Sequence, residues 1–141
     1  MAPKDEKLEL LRRVPLFAGL GRREIERLGM LADEVDLPEG RVLMRQGERG
    51  DDLFVVVEGG VRVERDGQLL RDLGQGEILG EIALVDGGPR SATVTLTAPS
   101  RLLVIGHRQF HALMDEFPSV RTHVLATLAA RVRNLDTAAI H

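Results

Sequence analysis

Hydrophobic positions along the chain change period twice. Leu8, Leu10, Leu11 and Val14 recur at helical spacing through and just beyond residues 4–13, and Pro15 stops the pattern. Residues 14–20 read as a tight apolar turn. Residues 22–30 read as a second short helix with Ile25, Leu28 and Leu31 facing inward. From Asp33 the spacing becomes that of strands. Val35 and Leu37, then Val42, Leu43 and Met44, are short apolar runs divided by Pro38-Glu39-Gly40. Residues 46–52 are turn chemistry, and Leu53-Phe54-Val55-Val56-Val57 is a strongly strand-forming run. After Glu58-Gly59-Gly60, the segment Val61-Arg62-Val63-Glu64-Arg65 alternates apolar and polar with period two. Asp66-Gly67 is a preferred two-residue hairpin turn, leading into Leu69-Leu70-Arg71-Asp72-Leu73. Residues 91–97 and 101–105 are two further strands. Beyond Gly106 helical spacing returns. Residues 107–117 keep Phe110, Leu113 and Met114 on one face, and Pro118 precedes a longer helix, residues 119 to about 136, carrying the stripe Val120, Val124, Leu128, Val132 and Leu135.

About eight short strands with turn signals between them predict a mostly β fold with flanking helices. The expected architecture is an eight-stranded antiparallel β-roll, a double-stranded jelly roll, with N-terminal helices and two C-terminal helices. The expected organisation is a single domain over residues 1–141, with N-terminal helices at 1–32, the roll at 33–106 and C-terminal helices at 107–141.

Composition narrows the chemistry. The net charge of -3 offers no general basic field to nucleic acid, so any anion must be held by local groups. The chain has no cysteine, which removes disulfides, thiolate metal sites and iron–sulfur ligation, and suits a cytoplasmic location. Trp and Tyr are absent and Phe is scarce, so stacking of single-stranded nucleic acid is poorly supported. The polar start has no signal-peptide core, and no stretch approaches the ~20 apolar residues of a membrane span.

One segment concentrates chemistry. Gly80-Glu81-Ile82-Ala83-Leu84 is followed, after Val85-Asp86-Gly87-Gly88, by Pro89-Arg90-Ser91-Ala92. A phosphate needs free backbone N–H groups and a fork-shaped cation, which a short helix start and an arginine supply. A ribose hydroxyl needs a fixed anionic acceptor, and Glu81 is one. A sugar phosphate folded back on itself, such as a cyclic nucleotide, asks for both together. Taken singly, Arg90 with Glu81 could be a structural ion pair and Gly80 a turn glycine.

Gly76-Glu77-Ile78-Leu79-Gly80-Glu81-Ile82-Ala83-Leu84 with Pro89-Arg90-Ser91-Ala92-Thr93-Val94 resembles the phosphate-binding cassette of cyclic nucleotide-binding domains, the type found in catabolite activators and kinase regulatory subunits. Val14-Pro15-Leu16-Phe17 resembles that family's N-terminal lead-in, and Gly47 and Gly59 fall at its early turns. The resemblance implies that Glu81 accepts the ribose 2′-hydroxyl and that Arg90 pairs with the cyclic phosphate. It implies that Ser91 adds its hydroxyl and N–H, and that Gly80, Ile82 and Ala83, with Ala92 beside them, complete the cradle. It further implies a base end where Val63, Leu128, Val132, Leu135 and Asp136, with Asn134 near it, are the candidate contacts.

Other constellations carry less. His107 and His111 stand four apart on a predicted helix but lack a third metal ligand. Glu77 and Glu81 lack a nucleophile or metal to serve as an acid–base pair. The glycines at 74, 76 and 80 lack the Gly-Lys-Ser/Thr ending of a nucleoside-triphosphate loop. The expectation is therefore a non-enzymatic cytoplasmic receptor module that needs no cofactor or metal. Its ligand is cAMP in preference to cGMP, its signal is a movement of the C-terminal helices, and its partners are an effector protein and a second copy through the last helix. Neither nucleic acid nor membrane is expected as a direct partner. Two alternatives stand beside it: a nucleotide-independent interaction scaffold with the same roll, and the sensor part of a transcription regulator whose DNA-reading segment would begin where this sequence stops.

Overall fold

The computed structural model describes residues 4–80 and 88–140, with side chains given for residues 6–80, 88–130 and 133. Two helices, α1 (Lys4–Arg13) and α2 (Arg22–Leu31), precede the strands. The strands are β1 (Asp33–Leu37), β2 (Val42–Met44), β3 (Asp52–Glu58), β4 (Val61–Arg65), β5 (Gln68–Leu73), β6 (Ile78–Leu79), β7 (Thr93–Leu96) and β8 (Ser100–Gly106). Two helices follow, α3 (His107–Glu116) and α4 (Pro118–Ile140). The mostly β roll with flanking helices is therefore the fold. Among the described residues no helix is long and apolar enough to cross a membrane.

The strands form two four-stranded sheets, ordered β1-β8-β3-β6 and β2-β7-β4-β5, with every described pairing antiparallel. The central strands of the first sheet, β3 and β8, are buried on both faces. Leu53 and Val55 of β3, with Leu103 and Ile105 of β8, face the helices and join a core with Leu11, Phe17, Ile25, Phe110 and Val120. Phe54, Val56 and Leu102 face the other way, into the roll, against Val61, Val63, Val94 and Leu96 of the second sheet. This explains the unbroken run Leu53-Phe54-Val55-Val56: a strand covered on both sides has no position for water-facing side chains. Burying each of these side chains is worth roughly 1.5–3 kcal/mol. The second sheet is covered on one face only, and its outer face is polar, with Arg62 and Asp72 paired at 3.8 Å across β4 and β5.

The helices dock through the apolar faces read from their spacing. Ile25, Leu28, Phe110, Leu113, Val120 and Val124 are all buried, and the Phe17 and Phe110 rings lie 6.0 Å apart, tilted by 41°. At the start of α3 the Gln109 side chain accepts a hydrogen bond from the Gly106 N–H at 3.0 Å, satisfying a donor that the helix leaves open. The hairpin at Asp66-Gly67 has positive φ at both residues, 54° and 77°, the geometry that matches the twist of paired strands.

Three elements depart from expectation. The two-residue strand β6 lies between Gly76 and Gly80 and is too short to show a period. Strand β7 is shorter than residues 91–97, because Ser91 and Ala92 precede it and serve the cavity described next. Helix α4 continues to Ile140, beyond residue 136, since Thr137-Ala138-Ala139 contains no helix breaker.

Candidate functional site

A cavity of about 370 Å³ opens on the second sheet where β4, β5 and β7 meet the end of β6. Gly80, Arg90, Ser91 and Ala92 line it, as does Val63. Glu81, Ile82 and Ala83 lie outside the described residues. Four of the seven residues expected at the ligand are thus brought to one wall, from two segments separated in sequence.

Arg90 is held on three sides. Its backbone N–H donates to the Glu48 carbonyl, and its own carbonyl accepts from the Gly47 N–H, both at 2.9 Å. Its Nη2 donates to the Asp52 carbonyl at 2.8 Å. The residue is 8% exposed, and Nη1 is buried yet bonds none of the described residues. Burial pushes the guanidinium below its ordinary pKa, while the nearby charges of Asp52 and Asp51 pull it back up. Arginine nevertheless stays charged at any physiological pH, so this is a cation partly removed from water, with donors to spare.

Two glycines make room for it. Gly80 has φ +86°, and a Cβ there would lie 2.6 Å from Arg90 Nη1 and 2.8 Å from the Asp52 carbonyl oxygen. Any other residue would be strained in its backbone and would collide with the guanidinium. At Gly50 a Cβ would lie 2.6 Å from Arg90 Nε. The arrangement is a buried cation in a tight backbone cage, with one edge at the cavity wall. Such an edge can bind an anion through charge-assisted hydrogen bonds.

The candidates for a base are less gathered. Val63 is in the cavity wall. Leu128 is half-buried against the helix-side core and does not line the cavity. Val132, Leu135 and Asp136 lie on α4, and their side chains are outside the described residues, as is that of Asn134. His107 and His111 have ring centroids 4.2 Å apart, and among the described residues no group of three or more His, Asp or Glu could hold a metal ion.

Sequence reasoning missed Arg65, Leu70 and Arg71, which also line the cavity. The signal was present. Arg65 shares strand parity with Val61 and Val63, so the alternation that buries those two turns Arg65 to the same side. Arg71 pairs with Val63 across the hairpin, and cross-strand partners share a face. Leu70 is the extra residue where the register shifts between Val63 and Glu64, a bulge that lets adjacent residues reach one cavity.

With this geometry in hand, similarity to known proteins is informative. The profile of the cyclic nucleotide-binding domain matches residues 34–117. The cyclic AMP receptor protein of Thermus thermophilus is 35% identical over 127 residues, spanning 86% of this chain and 59% of its own length. The CRP-like cAMP-activated global transcriptional regulator of Mycobacterium tuberculosis is 29% identical over 133 residues, 91% of this chain and 59% of its own. Among solved structures, the N-terminal domain of a transcriptional regulator from Streptomyces coelicolor superposes with a TM-score of 0.80 at 38% identity, covering 92% of this chain and 93% of that one. The chain thus spans 59% of the length of the two curated relatives.

Proposed function

The chain belongs to the cyclic nucleotide-binding domain family, and from that premise we propose that its cavity is a receptor site for cAMP in preference to cGMP. The observation that carries the proposal is Arg90, a caged and largely buried guanidinium in the cavity lining, whose Nη1 has no hydrogen-bond partner among the described residues. Arg90 pairs with the cyclic phosphate, Ser91 adds its hydroxyl and N–H, and Glu81 takes the ribose 2′-hydroxyl. The backbone of Gly80, Ile82 and Ala83, beside Ala92, completes the cradle. A charge-assisted hydrogen bond is worth about 1.5–3 kcal/mol, so losing Arg90 or Glu81 weakens binding roughly ten- to hundredfold. The preference for cAMP is supported by relatives whose names state cAMP receptor and cAMP-activated regulator.

The output we propose is mechanical. Val120 and Val124 dock α4 on the helix-side core, and Leu128 follows them there, so none of the described side chains of the helix lines the cavity. On binding, the segment after Gly80 shifts and the helices flanking Pro118 swing, bringing Leu128, Val132, Leu135 and Asp136 over the base. The ligand drives this only by binding the closed arrangement better than the open one. In this reading residues 1–141 act as one non-enzymatic regulatory unit in the cytoplasm, with an effector protein or a second copy receiving the signal through α4.

Calorimetric titration with cAMP and cGMP tests the site. Saturable heat with both, at lower concentration for cAMP, is expected. Neither heat nor a thermal shift at millimolar concentrations of either nucleotide overturns the reading and leaves the nucleotide-independent scaffold in its place. Light scattering with and without nucleotide reads whether α4 pairs two copies.

A further inference from the structure

Resting on the reading of the cavity as a cyclic-phosphate site, we propose that Arg65 is its second arginine, binding the anion and positioning Ser91. Its Nε donates to the Ser91 carbonyl at 3.0 Å. Its two terminal nitrogens bond none of the described residues, and it forms no ion pair with them. The side chain lines the cavity together with Arg90 and Ser91, and none of the described lining residues is acidic. A guanidinium placed there has donors to offer and, among the described lining residues, no counter-charge to satisfy them.

The surroundings hold Arg65 in register with Arg90. At the hairpin tip the Gln46 Nε2 donates to Asp66 Oδ1, and the Asp66 N–H donates back to Gln46 Oε1, both at 2.8 Å. The Gln46 N–H also donates to Thr93 Oγ1 at 3.0 Å. The next residue, Gly47, bonds the Arg90 carbonyl. One short stretch therefore clasps both the backbone of Arg90 and the turn beside Arg65. Parity sets the direction: Arg65 points to the side of the sheet that buries Val61 and Val63.

A cyclic phosphate has two exocyclic oxygens and one negative charge. Arg90 approaches from the floor, between Gly50 and Gly80, while Arg65 stands at the rim where solvent enters. The two arginines suit the two oxygens. By fixing the Ser91 carbonyl, Arg65 also fixes the peptide plane that sets where Ser91 presents its groups. This makes Arg65 a determinant of affinity for the phosphate and of no other part of the ligand.

The test uses the whole chain with cAMP and, as an uncharged probe, adenosine. Arg65 is exposed, so its replacement leaves the unfolding midpoint almost unchanged. Arg65→Ala weakens cAMP about tenfold and leaves the weak affinity for adenosine as it was. Arg65→Lys restores part of the loss by returning charge, and Arg65→Gln restores part by returning a donor to the Ser91 carbonyl. Wild-type binding that Arg65→Ala does not weaken overturns this inference alone. An equal loss for adenosine also overturns it, since the residue would then act through the base or the fold. A wild-type chain that binds no cyclic nucleotide instead sinks the receptor reading on which the inference rests.

Discussion

The two sheets of the roll are built from strands of similar length but answer to different demands. The β1-β8-β3-β6 sheet lies between helices and roll interior, so its central strands β8 and β3 bury apolar residues on both faces. The β2-β7-β4-β5 sheet has one face on the roll interior and one toward water. Its edge strand β5 is exposed from Gln68 to Asp72 and only half-covered at Leu73. The candidate site belongs to this second, less covered sheet. Burial on both faces keeps β3 and β8 out of the cavity lining, to which the first sheet contributes only through β6, and a single covered face leaves room for arginines at its margin. The first sheet is the mechanical base that the helices grip, and the second carries most of the candidate site.

The largest expected effect tests the first half of that contrast. Leu53→Ala removes a fully buried side chain between β3 and the helices, and should cost about 2–5 kcal/mol in urea-induced unfolding. If Arg90→Met costs stability on the same scale, the cavity wall is core and the contrast fails. The expectation instead is a change in stability within about 1 kcal/mol, because methionine fills similar space without an under-paired buried charge. The same substitution should lower cyclic-nucleotide affinity roughly ten- to hundredfold by calorimetry. Gly80→Ala should sit between the two. Its left-handed backbone adds about 1–2 kcal/mol of strain, read as a lowered unfolding midpoint. Its Cβ also displaces the Arg90 guanidinium, so affinity falls as well. The smallest effect belongs to the water-facing side of the second sheet. Leu69→Gln, at a side chain 57% exposed, should shift stability by no more than about 0.5 kcal/mol and leave binding untouched.

The sequence displays the fold well because hydrophobic period is a local property. Leu53 to Val57 could be read as a strand, and Asp66-Gly67 as its neighbour's hairpin turn, without any knowledge of partners. What could not be read was which face of β3 met helices and which met the roll, since both are apolar. Ile78-Leu79 escaped notice as a strand because two residues define no period. At the site, Arg90 and Ser91 stood out within a dense motif, whereas Arg65 and Arg71 looked like ordinary surface charges on short strands. Their placement depends on register: Arg71 shares a face with Val63 only because the pairing slips at the bulge. The cage around Arg90 was equally hidden, because Gly47, Gly50 and Asp52 come from a turn some forty residues away in sequence.

Strand β3 has a consequence for how the molecule opens. It lies between β8 and β6, and its residues Leu53–Val56 are buried toward both layers. Amide protons there can reach solvent only if the helices lift and the roll parts together, which amounts to complete unfolding. Those of β5, on a free edge, need only a local fluctuation. Hydrogen exchange should therefore run as a gradient across the roll, fastest beside the cavity and slowest in the strand that never touches it. The part of the molecule that carries the candidate site is thus free to breathe while the remainder holds its shape.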